Sequence, residues 1–574
     1  MIRDLLSRWR APRVDVEDLL KKAQAAQREQ RPNDAGALFE AALAAAPGHL
    51  EALLLSARFE GRRGNLHLAR GRLELALSAN PNLARAHADL GNVQRLAGDI
   101  GRAAECYEIA LALDPALAAA RNNLGLIRLE QGDLEAAANA FADALDREPK
   151  FAEALRNLVN VRAKLGQYDA LRSLLLARLA RDDTDAEAHA AMGFVELKGF
   201  GAPASALGHF DRARELGHET AELLVNRGIA LHDLGRLGEA VASYGGALLL
   251  DPGNALARFH RALARLVEHR FELAWDDYES RLVSEAMPKR GFPFPRWDGS
   301  PLRGKTVLIL GEQGLGDEIM FASCFGEAIA SAGHCIIDCA QKLEPIFRRS
   351  FPRATVHGGT QFDDPSWLAG LPQPDLQVQA GSLPRFLRRH LGAFPRHHGY
   401  LAAAPGRVEH WRSRLAALGP GMKVGVSWRG GTEKSRTASR SLSLEAIRPL
   451  LSVPGAQFVS LQYDAKPGEL EAFHAGSGLE CHYFAELIDD YDETAAVVAS
   501  LDLVVSVCTA VIHLGGALGT PVWVMAPAVP EWRYGIRGEA MPWYPGNRVF
   551  RQHGQGHWEE VIDGVAALLR KRLV

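Results

Sequence analysis

The chain carries little net charge, few cysteines and no long block of one sign. Of its 574 residues, 66 are Lys or Arg and 69 are Asp or Glu, for a formal net charge of −3. That balance argues against a dedicated binder of nucleic acid or acidic polymer. The six cysteines, Cys106, Cys324, Cys335, Cys339, Cys481 and Cys508, form no CxxC pair and show no zinc spacing. A reduced, cytoplasmic chain is the simplest reading of them. The first residues, MIRDLLSRWRAPR, lack the apolar core of a signal peptide and read as a frayed helix. Leu503–Ala526 is nearly uncharged, yet Gly515, Gly516, Gly519, Pro521 and His513 interrupt it. It is expected to be strand, turn, helix and strand in a buried sheet, not a membrane span. Tryptophan is almost missing from the first half: Trp9 alone precedes Trp275, and nine lie at or beyond that point.

What the first half does have is a period. Pro47, Pro81, Pro115 and Pro149 recur every 34 residues, the tetratricopeptide spacing. Within one unit, Leu90-Gly91 lets the first helix come close to its partner, and Gly98 turns the chain. Ala103, Tyr107 and Ala110 make the apolar seam, and Pro115 stops the second helix. The next unit repeats this as Leu124-Gly125, Gly132, Ala137, Phe141, Ala144 and Pro149. Asp183, His218 and Pro252 mark later slots, giving about eight units over residues 16–286. One helix pair cannot bury its own apolar face, so the units must stack into a superhelix. Such a surface usually binds a protein client; an array with no client is the bland alternative.

Residues 287–304 have the proline and glycine content of a linker. Beyond them strands alternate with helices, predicting an α/β body of two Rossmann-like lobes, residues 305–405 and 406–574. The first lobe opens with the apolar run Thr306–Leu310, then Gly311-Glu-Gln-Gly-Leu-Gly-Asp317, then a helix over Glu318–Ser331. The loop is not the dinucleotide fingerprint and has no P-loop lysine. Asp317 faces the predicted crevice, either as a base for an acceptor hydroxyl or as a helix cap. The second lobe opens with Val424–Trp428 and a loop from Arg429 to Arg440 holding four cations, Arg429, Lys434, Arg436 and Arg440. Cations there suit a diphosphate leaving group; a solvated basic loop is the alternative. At Ser506–His513 a strand ends and a helix begins, so the N–H groups of Thr509 and Ala510 point towards a bound anion. His513 is either a ligand to phosphate or sugar, or a packed core histidine. Asp490-Tyr491-Asp492 is formally a DxD metal motif, but Asp492 is expected to cap the helix Glu493–Ser500, and no metal site is expected.

The segment Trp297–Gln552 resembles the heptosyltransferase-like (glycosyltransferase family 9-like) enzymes of the two-lobed GT-B fold, in the branch that carries tetratricopeptide repeats. The matching pieces are WDGSPLRGKTVLILGEQGLGDEIMFAS, GVSWRGG, SRSLSL, DDYDETAAVVASLDLVVSVCTAVIHLGGALGTPVWVM, WRYG and PWYP. The pairing of repeats with such a body is also similar to the O-linked N-acetylglucosamine transferases and to bacterial flagellin glycosyltransferases. The resemblance implies a nucleotide-sugar as substrate and no cofactor. It implies Asp317 as catalytic base and Gly314 and Gly316 as the turn against the nucleotide-sugar. Arg429, Lys434 and Arg436 would hold the donor phosphates, and Thr509, Ala510 and His513 would cradle the same group. Gln462 matches a nucleoside-contacting position loosely. The chain departs from the family at Cys508, where heptosyltransferases usually have Asp, so an ADP-heptose donor is not implied. The protein O-N-acetylglucosamine transferases also line their repeats with asparagines at the sixth position, which here reads Asp89, Asn123, Asn157 and Asn226; Asn122 beside them lies off that position. The expected function is cytoplasmic, inverting transfer of a sugar to a hydroxyl of a protein client, flagellin among the candidates. Its rivals are a lipid or polysaccharide acceptor, and a non-catalytic scaffold.

Overall fold

The computed structural model describes residues 15–283, 292–360, 364–430, 440–465, 468–554 and 556–573. The chain divides into two compact units, Met1–His218 and Glu219–Val574.

The first unit is built of helix pairs, from Val16–Arg28 with Pro32–Ala45 to Ala186–Lys198 with Pro203–Glu215. Asp15, Asp99, Asp133 and Asp185 open helices by accepting from backbone N–H groups of the first turn. The glycines act as the repeat pattern predicts. A Cβ on Gly91 would lie 2.7 Å from the Tyr107 ring, and one on Gly125 would lie 2.7 Å from Phe141. Each first helix therefore rests directly on an aromatic ring of its partner. Gly98 and Gly132 turn the chain with φ of +83° and +81°.

The second unit begins with two further pairs, Ala221–Asp233 with Leu237–Leu250 and Ala255–Val267 with Phe271–Tyr278. A 3-10 turn, Glu279–Leu282, extends the last helix. Two sheets follow. The first has β1 (Thr306–Leu310), β2 (His334–Ala340), β3 (Thr355–Gly359) and β4 (Leu376–Gln379) in the order β3-β2-β1-β4, all parallel. The second has β5 (Met422–Ser427), β6 (Ala456–Ser460), β7 (Cys481–His482), β8 (Leu503–Val507), β9 (Val522–Ala526), β10 (Ala540–Met541) and β11 (Tyr544–Arg551). Its order is β10-β11-β9-β8-β5-β6-β7, parallel except for the β10–β11 edge pair. Val424, Val426, Val505, Val507 and Met525 form its core with Val565, Ala566 and Leu569 of the final helix.

One expected helix differs in detail. The helix expected over Glu318–Ser331 is two helices, Leu315–Phe321 and Phe325–Ser331, joined by a 3-10 turn. After β5 the helix Arg448–Leu451 is a single turn, because Pro449 has no N–H to continue an earlier turn.

The last repeat is wedged into the α/β body. Trp275 donates its indole N–H to the Arg388 carbonyl at 2.9 Å. Trp532 packs edge-on to Trp275 and Tyr278, with ring centroids 5.8 Å from each. Arg281 is buried and bound to Glu312 in the turn that follows β1.

Candidate functional site

Strands of both sheets end at one cavity of about 640 Å³. The turn after β1 and the helix it opens supply Gly314, Gly316 and Asp317. The loop after β6 supplies Gln462, and the turn and helix after β8 supply Thr509, Ala510 and His513. The site lies at the carboxyl ends of parallel strands, where open α/β sheets present ligands to loop backbone. Seven of the residues picked out from the sequence thus meet in one wall.

The turn after β1 is shaped by its neighbours. Gln313 has φ of +70°, a conformation an L-residue rarely takes, and donates to the Tyr278 hydroxyl at 2.8 Å. A Cβ on Gly316 would lie 3.0 Å from His513 and 3.3 Å from the Ala510 Cα. Gly316 therefore lets the helices Leu315–Phe321 and Ala510–Leu518 touch across the cavity floor. Gly314 is the N-cap of the first of these helices, with no side-chain cap bond. Asp317 does not cap it, so the capping reading falls. The carboxylate instead pairs with Arg533, both of whose contacting nitrogens reach the same oxygen, Oδ1. Burial pushes the Asp317 carboxyl above its usual range against the pull of Arg533.

Thr509 is the N-cap of Ala510–Leu518, and its hydroxyl turns to Ser506 at 3.0 Å rather than capping the helix. Both ring nitrogens of His513 are taken, Nδ1 by the Tyr544 hydroxyl at 3.2 Å and Nε2 by the Tyr534 hydroxyl at 3.3 Å. Burial, with Arg533 nearby, holds its pKa down to about 3, so the ring is neutral at ordinary pH. The packed-histidine reading accounts for its nitrogens. Gln462 is also committed. Its Oε1 accepts from the Trp428 and Arg429 N–H groups, each at 2.9 Å, and its Nε2 donates to the Arg429 carbonyl at 3.0 Å and to Asp464 at 2.6 Å. Its side chain braces the two loops, so the expected nucleoside contact does not come from its amide.

Arg429 departs from expectation. It is not in the cavity wall: its guanidinium pairs with Glu469 at the start of helix Glu469–Ser477 and lies 3.5 Å from Asp464. Lys434 and Arg436 lie outside the described residues. The loop's fourth cation, Arg440, does line the cavity, paired with Glu531 at 2.5 Å. Gly430 sits against the Cys508 carbonyl, where a Cβ would lie at 2.8 Å.

Sequence reasoning assigned no role to Arg533, Tyr534, Tyr544 or Lys342. WRYG and PWYP, already singled out as motifs, carry the first three, so that signal was present. The aromatic side of the wall, Tyr463, Tyr483, Phe484 and Tyr491, was missed and has no spacing to betray it. The Tyr491 hydroxyl is buried with no hydrogen-bond partner among the described residues.

The DxD carboxylates are occupied by protein. Asp490, not Asp492 as expected, caps the helix Tyr491–Ser500, accepting from the Asp492 N–H at 2.8 Å. Tyr491 already begins the helix, so Asp492 falls in its first turn, where Arg349 and Arg407 face it. Asp490 also binds Arg407 at 2.6 Å.

The asparagine positions of the first unit form links of their own. Asn123 donates to Asn92 at 2.7 Å, and Asn157 to Asn122 at 2.9 Å. Asn122, off the expected position, is thus part of the network and is 1% exposed. Asn157 lines a depression of about 440 Å³ with Asn160, Lys164, Tyr168 and Phe194. Asp89 is tied to Arg58 at 2.6 Å. Asn226 lies in the second unit, half-buried on the helix Ala221–Asp233.

Among the described residues no helix is long and apolar enough to cross a membrane. Tetratricopeptide-repeat models match residues 88–138, 128–193 and 196–255. The chain is similar to Protein FlbA of Caulobacter vibrioides, 34% identical over 394 residues. That match spans 65% of this chain and 65% of the relative, just under two thirds of its length. Among solved structures, a tetratricopeptide repeat protein from Parabacteroides merdae is 17% identical, covering 43% of this chain and 98% of its own, with a TM-score of 0.35. PilF of Pseudomonas aeruginosa is 22% identical, covering 37% and 96%, with a TM-score of 0.32. The chain is thus a set of tetratricopeptide repeats followed by an α/β region with two largely parallel sheets.

Proposed function

We propose that the protein is a glycosyltransferase of the GT-B arrangement, acting in the cytoplasm, that moves a sugar from a nucleotide-sugar to a hydroxyl of a protein client held by the repeats. The observation that carries this is the meeting of Asp317, at the end of one sheet, with the uncapped helix start at Thr509–Ala510, at the end of the other, in one cavity. A base and an anion cradle facing each other are the two requirements of displacement at a sugar carbon that bears a phosphate. Asp317 takes the proton of the acceptor hydroxyl while that oxygen bonds to the anomeric carbon. The bond from that carbon to the phosphate oxygen breaks, and the electron pair leaves with the nucleotide. Attack from the face opposite the leaving group inverts the centre. The departing charge meets the Thr509 and Ala510 N–H groups and the nearby guanidiniums. The aromatic wall from Tyr463 to Tyr491 offers a flat base a stacking surface.

The repeats supply the acceptor as a peptide rather than a lipid, and flagellin is the first client to test. The intact mass of flagellin from cells with and without this protein checks the reading. A mass difference equal to a whole number of sugar residues is expected. Equal masses remove flagellin as the client. Absence of nucleotide-sugar binding by the purified chain removes transfer altogether and leaves a scaffold.

A further inference from the structure

The geometry of the Asp317–Arg533 pair is unusual in one respect. Arg533 presents two nitrogens, Nε and Nη2, and both converge on Oδ1. A guanidinium fork and a carboxylate normally meet oxygen for nitrogen, two parallel bonds at a time. Here both nitrogens meet one carboxylate oxygen, and Nη2 also lies 3.5 Å from the Gln313 Oε1. Oδ2 lies 3.9 Å from where a Cβ on Gly314 would be, at the turn that lines the cavity. Both side chains are 16% exposed.

The pair stands in a place already prepared for a different anion. The helix start at Thr509–Ala510 opens on the same cavity without a side-chain cap. The Trp532 ring, buried against Trp275, Tyr278 and Trp543, fixes the stem from which Arg533 reaches in. The guanidinium lies 5.2 Å from the centre of that ring. The other guanidinium of the wall, Arg440, is held by Glu531, which has no part in the proposed chemistry. A phosphate drawn to the helix start comes within reach of Arg533 and competes with Asp317 for it. Two anions cannot share one buried guanidinium without strong repulsion. A phosphate offers the fork two oxygens where Asp317 offers one.

Resting on the glycosyltransferase reading, we infer that Arg533 is the residue that takes the donor's phosphate, and that its passage from carboxylate to phosphate is what releases Asp317 to act as base. Before the donor binds, Asp317 is tied to a cation and is a weaker proton acceptor than its burial alone would make it. With the donor bound, Arg533 is occupied and the phosphate's charge beside Asp317 strengthens it as a base. The base is thereby armed only when there is a sugar to transfer, and the donor binds before the acceptor reacts.

The test is calorimetric titration of the full chain with the mono- and diphosphates of cytidine, uridine, guanosine and adenosine. Comparing the two phosphate series shows which donor type the site takes. Asp317→Asn removes the competitor and is expected to tighten binding of the preferred nucleotide by about tenfold. Arg533→Gln is expected to weaken it by at least about tenfold. The double variant, neutral at both positions, keeps the comparison open if Arg533→Gln fails to fold, and it should bind far more weakly than Asp317→Asn alone. Unchanged or weaker binding by a folded Asp317→Asn protein overturns the inference. So does wild-type affinity in Arg533→Gln with the loss appearing in Arg440→Gln instead. If the wild-type chain and Asp317→Asn bind none of the nucleotides, the glycosyltransferase reading itself has failed, and the inference with it.

Discussion

Arg281 donates to both oxygens of Glu312, from Nε at 3.0 Å and from Nη2 at 2.6 Å, where the arginine side chain is only 2% exposed. The same guanidinium reaches Glu279 at 2.8 Å and the Ser382 hydroxyl at 2.9 Å. Arg281 belongs to the last repeat and Glu312 to the turn that presents Asp317. A buried pair of this kind gains little over an apolar contact while whole, but is costly to break. Arg281→Met leaves Glu312 charged and unmatched, and should cost about 3–5 kcal/mol in urea unfolding. Adding Glu312→Gln, which keeps an acceptor for the Gly381 N–H, should recover part of that. A loss below about 1 kcal/mol for Arg281→Met would show that water reaches the pair.

The helix glycines separate into two kinds. At Gly125 a new Cβ would meet the Phe141 ring, whereas at Gly71 nothing lies within 4 Å. Gly71→Ala should therefore stabilise the protein by about 0.5–1 kcal/mol through helix propensity alone. Gly125→Ala should destabilise it by about 1–3 kcal/mol, since the ring cannot move without displacing its neighbours. Thermal melting of the two variants decides the matter, and shifts of the same sign would refute the role given to Gly125.

Asn123→Ala with Asn157→Ala cuts the links to Asn92 and Asn122 and clears one wall of the depression near Tyr168. Client affinity should fall by tenfold or more, about 1.4 kcal/mol, since each amide can serve a peptide as both donor and acceptor. Nucleotide affinity should stay as it was, because those residues belong to the other unit. An unaltered client titration would move the docking surface elsewhere.

His513 makes stability depend on pH in a direction that can be stated. Its folded pKa is lowered from 6.5 to about 3, so the fold favours the neutral ring. Above pH 6.5 the ring is neutral in both states and its contribution is complete. As pH falls from 6.5 towards 3 the unfolded chain takes up a proton that the folded chain refuses, and stability is lost by up to about 1.4 kcal/mol per pH unit. His513→Gln retains a donor and an acceptor for Tyr534 and Tyr544 without that proton. The wild-type and variant stabilities should diverge below pH 6.5, the wild type falling faster. Parallel curves down to pH 4.5 would show that the ring ionises freely.

Transfer in excess EDTA should run at nearly the untreated rate. Asp490 and Asp492 already neutralise Arg407 and Arg349, and Asp490 is spent on capping its helix. A hard divalent ion needs several free oxygens converging on it. Restoration of a lost rate by Mg²⁺ or Mn²⁺ would overturn the metal-free mechanism.

The parts of the molecule governed by short-range rules were legible in the sequence. The proline period and the Leu-Gly pairs located the repeat helices, and Thr306–Leu310 is a strand to the residue. The turn at Gly314–Asp317 and the helix start at Thr509–Ala510 were legible because a glycine loop or a sudden end to an apolar run marks each. Partner choice was not legible. Arg429 has the sequence position of a phosphate ligand, but Glu469, 40 residues on, holds it, and Arg533 meets Asp317 across 216 residues of chain. Strand β11 was hidden for another reason: it contains Pro545 and Gly546, tolerable at a sheet margin where its outer neighbour among the described residues is the two-residue β10.

The placing of Trp275 and Arg281 bears on how such proteins can diversify. The pairs up to Glu215 repeat one 34-residue design and make their contacts mostly with the pairs beside them, so whole pairs there can be gained or lost as units. The pair that ends in Arg281 has no such freedom, since it is also a buttress for the turn that carries Asp317. Lineages are therefore expected to vary the number of their early repeats to suit new clients while inheriting the last pair together with the α/β body as a single cassette. A chimera that takes its early repeats from a relative should be joined at 218/219, the break between the compact units, and not at the proline-rich stretch near residue 290 where composition alone would place the cut.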